Sequence, residues 1–349
     1  MTSILLIWGI GAFAMSALAT GVVRDVAVRF GVVDRATEER KVHRGAVPLL
    51  GGVAIFVTVA ACVIALLVSG DRLTGGEIEQ GHYVGFLLGG LILMMGGFLD
   101  DKFNLPPKFA IVAPVLAALT AIGFGVEVEK LTNPAGGILE LEPWQSDVLV
   151  FVWLLIVMYT TKFLDGLDGL ATGVSTIGSA MILGLSLTVA YFQPDVALLS
   201  TIAVGAMLGF LVWNFHPAKI FLGEGGSTFV GYVVGTLAVI SGGKLATAML
   251  VIAIPFLDVV WVVIRRWRAG GWKNIFKGDR KHLHHRLLDR GWGQRKIVLA
   301  YGAVATVFGG AALVLQSREK LIAFGVLGVL MVIIAIALSR DRHAPAKLS

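Results

Sequence analysis

Long apolar runs recur along this chain of 349 residues, and they constrain its fold more than any other feature. A helix needs about 20 mostly apolar residues to cross a bilayer. Only 15% of the residues are charged, so the chain lacks the polar surface of a water-soluble domain. We predict about eleven crossings, approximately at residues 3–23, 48–69, 83–99, 109–124, 148–164, 170–192, 196–213, 227–241, 245–264, 297–315 and 321–338.

The lysines and arginines between these runs are distributed unequally over the two sides of the membrane. Loops rich in these residues face the cytoplasm, which predicts an outside N-terminus and a cytoplasmic C-terminus. The fold class is therefore an all-α polytopic membrane protein, in which residues 1–349 form one membrane-embedded domain. The basic residues are explained by topology, so no nucleic acid partner is predicted. The loops predicted on the outer side hold only five lysines and arginines, namely Arg72, Lys130, Lys244, Arg318 and Lys320.

One outer loop carries the alternating pattern of a β-hairpin. Residues 126–130 and 138–142 alternate apolar with polar side chains on either side of a turn at 133–137. We predict a small external β-hairpin that covers the outer ends of helices.

Acidic residues gather at the predicted cytoplasmic ends of the helices, and six of the seven histidines fall on the same side. Transporters place ionisable residues near the bilayer midplane, where this chain has almost none, so a flippase or transporter is disfavoured. A cytoplasmic cluster suits a reaction between a lipid and a cytosolic molecule. The acidic residues are Asp100, Asp101, Asp165, Asp168, Glu224 and Asp258.

Each acidic loop has a functional and a structural interpretation. A pair such as Asp100-Asp101 at a helix end can simply be solvated, and Asp168 can cap the helix that follows it. The glycines of residues 223–227 can expose N–H groups that bind phosphate at a helix start, or form a plain turn with a serine cap. Taken together, the loops suggest a divalent cation that holds a diphosphate.

The segment from His282 to Arg286 combines three histidines with an arginine. It can bind zinc, although no HExxH or cysteine pattern supports a zinc site. It can also bind anionic lipid headgroups or recognise a phosphate group.

These motifs resemble the polyprenyl-phosphate N-acetylhexosamine-1-phosphate transferases, a family that includes phospho-N-acetylmuramoyl-pentapeptide transferase. Six stretches follow the order of that family between residues 40 and 287. The stretches are Arg40-Lys41-Val-His43 with Pro48-Leu-Leu-Gly51-Gly52, Gly97-Phe-Leu-Asp100-Asp101 with Leu105 and Lys108, Phe163-Leu-Asp165-Gly-Leu-Asp168-Gly-Leu, Asn214 to Ser227, Pro255-Phe-Leu-Asp258, and His282 to Leu287.

The resemblance implies transfer of a sugar 1-phosphate, most consistent with N-acetylglucosamine 1-phosphate, from a UDP-N-acetylhexosamine to a polyprenyl phosphate such as undecaprenyl phosphate. UMP leaves, Mg²⁺ is the expected cofactor with Mn²⁺ as a possible substitute, and the site faces the cytoplasm at the inner membrane. This would be the first membrane step of cell-envelope glycan synthesis. A homodimer is a possible assembly. A catalytically silent relative that only binds nucleotide sugar is the alternative.

The resemblance also implies roles for individual residues. Those with a catalytic role are Asp100, Asp101, Asp165 and Asp168, and the metal ligands are Glu224 and Asp168. Those that bind substrate are Lys41, His43, Lys108, Lys162, Asn214, His282, His284, His285 and Arg286.

Two positions depart from the family's pattern. Glu224 stands where the family usually has aspartate, and Lys162 where it usually has asparagine. An ammonium group cannot ligate a metal, so we expect Lys162 to contact either Glu224 or the donor's diphosphate.

Overall fold

A computed structural model describes residues 1–34, 46–76, 78–133, 136–242, 244–271 and 282–340. Most of this part of the chain is helical, and a 3-10 turn occupies Val189–Tyr191. The helices are α1 Thr2–Arg29, α2 Gly51–Ser69, α3 Gln80–Phe103, α4 Pro107–Ala110, α5 Val112–Gly123, α6 Pro143–Leu164, α7 Leu170–Ser186, α8 Pro194–Asn214, α9 Gly223–Ile240, α10 Leu245–Val251, α11 Ala253–Gly270, α12 Leu283–Leu288, α13 Gln294–Val314 and α14 Ser317–Arg340.

Each predicted apolar segment coincides with one of these helices or with a consecutive pair, which confirms a mostly helical membrane protein. Within the described ranges, six helices are long and apolar enough to cross a bilayer, namely α1, α2, α3, α6, α8 and α13. Helices α10 and α11 form a seventh candidate that is bent by 77°, and α4–α5 and α7 are shorter apolar helices. The chain is thus a multi-pass membrane protein, while the eleven crossings and their orientation stay predictions.

Two short antiparallel strand pairs accompany the helices. Strands β1 Val33–Asp34 and β2 Val47–Pro48 pair with each other, which the sequence pattern did not predict. Strands β3 Lys130–Thr132 and β4 Ile138–Glu140 form the predicted hairpin, with Leu131 opposite Leu139.

The hairpin strands are shorter than the alternating pattern predicted. Val126 and Val128 are buried, and the Val128 N–H donates to Ser146 Oγ at 2.8 Å. A bond to α6 thus replaces strand pairing at Val128, and the Val126 N–H donates to the Ala121 carbonyl of α5 at 3.0 Å.

Helix α9 lies at the centre of the helix bundle. It packs against α2, α3, α6 and α7, and nearly all of its side chains are buried. A helix that is apolar or small on every face can be enclosed in this way. Trp153 of α6 donates its indole N–H to the Gly235 carbonyl of α9 at 3.0 Å. Helices α6 and α9 consequently pack side by side.

Candidate active site

Two pairs of glycines bring the first turn of α9 against α2 and α3. A Cβ atom built on Gly97 would lie 2.1 Å from the Gly225 nitrogen, and one built on Gly52 would lie 2.1 Å from the Gly226 Cα. Small residues allow helix backbones to approach closely in membrane proteins. Gly225 and Gly226 therefore serve close packing, while Gly223, with a φ of 76°, has the conformation of a turn glycine. Phosphate binding by these residues stays a prediction.

The side chain of Asp101, on α3, contacts the first turn of α9. Its two carboxylate oxygens accept the Glu224 N–H at 3.1 and 3.2 Å. A carboxylate at a helix start satisfies a free donor and complements the helix dipole. Ser227 is not a cap, because its hydroxyl donates to the Glu224 carbonyl at 3.2 Å. One donor of this turn, the Glu224 N–H, is thus engaged by a protein carboxylate.

Lys162 and Glu224 form an ion pair beside this turn. Lys162 Nζ lies 2.5 Å from Glu224 Oε2. Both residues line a small pocket together with Asp100 and Thr228, and one Asp100 oxygen accepts the Leu105 N–H at 3.0 Å. Of the two contacts expected for Lys162, the one with Glu224 is confirmed.

The loop after α6 brings two further carboxylates to this cluster. Burial, followed by the nearby charges of Glu224, Asp101 and Asp168, raises the pKa of Asp165 to about 8. At pH 7 the Asp165 carboxyl in the free protein therefore keeps its proton. Carboxylates from α3, α9 and this loop thus converge, as the sequence analysis predicted.

Asp168 does not cap α7, so the structural interpretation of this residue is wrong. Gly169 precedes that helix without a side-chain cap. The Asp168 carboxylate instead lies 2.6 Å from His216 Nδ1 and accepts the Ala218 N–H at 3.1 Å. Its own N–H donates to Gln294 Oε1 at 3.4 Å. Contacts with residues distant in sequence thus replace the local cap.

Asp258 of α11 holds the start of the histidine segment, residues 282–286. One of its oxygens lies 2.8 Å from His282 Nδ1, and the other accepts the Leu283 N–H at 2.9 Å. The His282 ring also stacks on Phe163, with ring centroids 5.9 Å apart. His282 is therefore buried against the end of α6.

His284 brings the histidine segment against the acidic loop. A Cβ atom on Gly166 would lie 2.6 Å from His284 Nε2, so the absence of a side chain there permits the contact. The His284 ring is 1% exposed, and within the described ranges neither ring nitrogen has a hydrogen-bond partner. Burial and the rings of His285 and His282 lower the pKa of His284 well below its usual value. His284 is thus a neutral imidazole next to Gly166 of this loop.

The other predicted substrate-binding residues have varied environments. Arg286 lines a mostly apolar cavity that includes Asp258 and Trp261, and the His285 ring centroid lies 4.4 Å from that of His284. Lys108 is exposed, with its ammonium group over the Phe109 ring. Lys41 and His43 lie outside the described residues.

Asn214 is enclosed by its own chain. It is 2% exposed, its amide oxygen accepts the Thr172 hydroxyl at 3.1 Å, and its amide nitrogen donates to the Ile220 carbonyl at 3.0 Å. This geometry favours a role in holding the loop after α8, and substrate binding by Asn214 stays a prediction.

The described residues do not fit the expected Mg²⁺ site in this arrangement. Of the two predicted ligands, Glu224 pairs with Lys162 and Asp168 contacts His216. No group of three or more histidine, cysteine or acidic side chains is placed to hold a metal ion in the described part of the chain. That finding covers the zinc interpretation as well.

Sequence reasoning missed the role of three residues that position the site. His216 contacts the Asp168 carboxylate, and Gln294 accepts the Asp168 backbone N–H. Asp258 contacts the ring of His282. His216 and Asp258 both stood out as polar residues on the predicted cytoplasmic side. Gln294 carried no signal, because a glutamine at a helix start is common.

Comparison with known proteins adds an independent observation. Residues 83–242 match the model of a family described as "Glycosyl transferase family 4". A probable undecaprenyl-phosphate N-acetylglucosaminyl 1-phosphate transferase of Bacillus subtilis (strain 168) is 30% identical over 335 residues, which cover 93% of this chain and 90% of the relative.

Two further relatives have similar names. A decaprenyl-phosphate N-acetylglucosaminephosphotransferase of Mycolicibacterium smegmatis (strain ATCC 700084 / mc(2)155) is 32% identical, covering 86% of this chain and 81% of the relative. An undecaprenyl-phosphate alpha-N-acetylglucosaminyl 1-phosphate transferase of Thermotoga maritima is 30% identical, covering 84% of this chain and 85% of the relative.

Proposed function

Because this chain belongs to glycosyl transferase family 4, we propose that it transfers N-acetylglucosamine 1-phosphate from UDP-N-acetylglucosamine to a polyprenyl phosphate and releases UMP. The chain is a membrane-embedded phosphoglycosyltransferase, and the names of its relatives give both the lipid phosphate and the sugar 1-phosphate. The UDP donor, the UMP product and the identity of the sugar are the proposed parts.

The convergence of carboxylates with a lysine and the histidine segment carries this proposal. Asp100, Lys162 and Glu224 line one pocket, and the charges of Asp101 and Glu224 act on Asp165. His284 contacts the same loop at Gly166. A site for a nucleotide diphosphate and a lipid phosphate needs such a mixture of charged groups and donors.

The proposed reaction is an in-line attack by an oxygen of the lipid phosphate on the sugar-bearing phosphorus of the donor. The new P–O bond forms as the bond to the UMP oxygen breaks, and UMP leaves with the electron pair. The bond between the sugar and its phosphate is untouched, so the anomeric configuration is retained.

A proton acceptor is not essential for this attack. A phosphate monoester has a second pKa of about 6, and at neutral pH it is mostly a dianion. We therefore assign Asp100 and Asp101 to orientation of the acceptor, since positioning dominates phosphoryl transfer. This predicts a nearly flat rate between about pH 7 and 8.5, whereas a general base that titrates in this range would give a steep rise.

Asp165 and His284 are the proposed donors to the diphosphate. A carboxyl that keeps its proton and a neutral imidazole each offer one hydrogen to a phosphate oxygen. Lys162 adds positive charge beside Glu224. These groups would stabilise charge that develops on the phosphoryl oxygens.

The test uses the purified chain in lipid nanodiscs with undecaprenyl phosphate and a panel of UDP-N-acetylhexosamines. The donor carries ³²P in its sugar-bearing phosphate and ³H in its sugar. We expect both labels in the lipid product in equal amounts, together with UMP. Release of UDP with transfer of ³H alone, or no product with any donor, would overturn the proposal.

A second measurement separates direct transfer from a two-step route through an aspartyl phosphate. The two-step route exchanges labelled UMP into the UDP-sugar when no lipid acceptor is present. Direct transfer predicts no such exchange.

We also propose that the site faces the cytoplasm at the inner membrane, where nucleotide sugars are available. The basic loops of the sequence support this orientation. Cysteine reporters in the loop before α4 and in the β3–β4 hairpin would react from opposite sides of sealed vesicles.

A further inference from the structure

Lys162 places a positive charge inside the carboxylate cluster. Its ammonium nitrogen lies 2.5 Å from Glu224 Oε2, and its side chain is 21% exposed. Asp100 lines the same small pocket, and the ammonium group also lies 5.9 Å from the centroid of the Tyr159 ring. A partly buried lysine beside carboxylates is held as a cation by their charge.

This ammonium competes with a divalent cation for the same carboxylate. Mg²⁺ needs about six oxygen ligands in nearly octahedral geometry, whereas an ammonium offers three donors and no lone pair. Glu224, the acidic residue expected to bind a metal, already forms an ion pair with Lys162. A cation next to Lys162 would also be repelled by its charge.

We propose that the Lys162 ammonium takes the place of a divalent cation and supplies the positive charge that lets the carboxylate cluster accept the donor's diphosphate. This inference rests on the proposed function for the identity of the ligand. It assigns to one side chain of this protein the charge that the family resemblance assigns to Mg²⁺. The ammonium donates hydrogen bonds to phosphate oxygens and offsets the charge of Glu224.

The experiment combines turnover with a metal-binding measurement that needs no substrate. The full chain in nanodiscs is treated with chelator, and UMP release is measured with EDTA and with Mg²⁺. Electron paramagnetic resonance then detects Mn²⁺ bound to the same samples. The wild-type protein should keep its rate in EDTA to within about twofold and bind no Mn²⁺, because the ammonium cannot ligate a metal.

Two variants at one position separate charge from ligand chemistry. Lys162→Asn removes the charge and provides a carbonyl oxygen, so it should lose about tenfold or more in EDTA, regain activity with Mg²⁺ and bind Mn²⁺. Lys162→Arg keeps the charge and should remain active in EDTA. Lys296→Asn is the matched control, because Lys296 is exposed and lies over the Trp292 ring.

The outcomes decide the inference in every case. It is overturned if the wild-type protein binds Mn²⁺ or loses its activity in EDTA, and equally if Lys162→Asn gains neither Mn²⁺ binding nor dependence on Mg²⁺. If no form uses any UDP-sugar even with Mg²⁺, the proposed function fails. The Mn²⁺ binding of the wild-type and Lys162→Asn proteins then decides the inference by itself.

Discussion

Substitution of Gly97 by alanine tests whether close packing of α3 and α9 builds the site. Gly97 and Asp101 are four residues apart and therefore lie on one face of α3. The added Cβ would lie 2.1 Å from both the nitrogen and the Cα of Gly225. Because these are backbone atoms of a buried helix, they cannot rotate away as a flexible side chain would.

The size of the disturbance follows from these distances. Restoring an ordinary contact of 3.4 Å requires the helices to separate by 1.3 Å. If the Glu224 N–H moved by the same amount, its 3.1 Å bond to Asp101 would lengthen to 4.4 Å and be lost. Overpacking costs about 1–3 kcal/mol, and a charge-assisted hydrogen bond contributes about 1.5–3 kcal/mol. We therefore expect a loss of about 2.5–6 kcal/mol in stability.

The activity should fall together with the stability. A misplacement of about 1 Å can lower a rate by about 10²-fold. UMP release and thermal unfolding by tryptophan fluorescence are measured on the same nanodisc sample. Gly310→Ala on α13 is the control, since a Cβ there meets no atom within 4 Å. A Gly97→Ala protein with wild-type rate and unchanged unfolding temperature would refute the packing argument.

Three other substitutions test the surroundings of the site. Asp258→Asn should cost about 2 kcal/mol, lower kcat/KM and speed hydrogen exchange at Leu283, because the start of the histidine segment loses its charged acceptor. Asn214→Leu should lower thermal stability by about 1–3 kcal/mol without changing the KM for the donor, because both of its amide contacts are internal. Asp165→Asn should make thermal unfolding less sensitive to pH. The folded carboxyl, with a pKa of about 8 against 3.8 ordinarily, holds a proton that the unfolded chain releases, so wild-type stability falls as pH rises from about 4 to about 8 and then levels off.

Distinct results would contradict these predictions. Unchanged exchange at Leu283 in Asp258→Asn would show that other contacts hold the segment. A raised KM in Asn214→Leu with normal stability would support direct substrate binding. An Asp165→Asn protein whose unfolding temperature follows the wild-type pH profile would show that this carboxyl does not carry the raised pKa. Asp147→Asn, at the other end of α6, controls for the loss of one acidic residue.

Much of the site was predictable from sequence because its acidic loops lie at the ends of apolar helices. Asp101 and Asp165 follow long apolar runs, so hydropathy alone placed them near a membrane surface. The contacts of Asp168 were not predictable. A local cap and a bond to His216, 48 residues away, require the same residue type, and only the packed chain decides between them.

The glycines in the first turn of α9 were also ambiguous from the sequence alone. Bare backbone suits phosphate binding and close helix packing equally well, so the pattern in residues 223–227 could not separate them. The positions of Gly52 and Gly97 establish the packing role, because each meets a glycine of α9 across a helix contact, and phosphate binding stays a prediction.

The sequence by itself determined the membrane class, the helical segments and the residue types gathered at the site, because these follow from hydropathy and local order. Only the tertiary structure decided which charges neutralise one another. Lys162 and Glu224 are 62 positions apart and meet because α6 and α9 pack side by side. Such a pairing depends on distances between helices, which no local pattern of residues specifies.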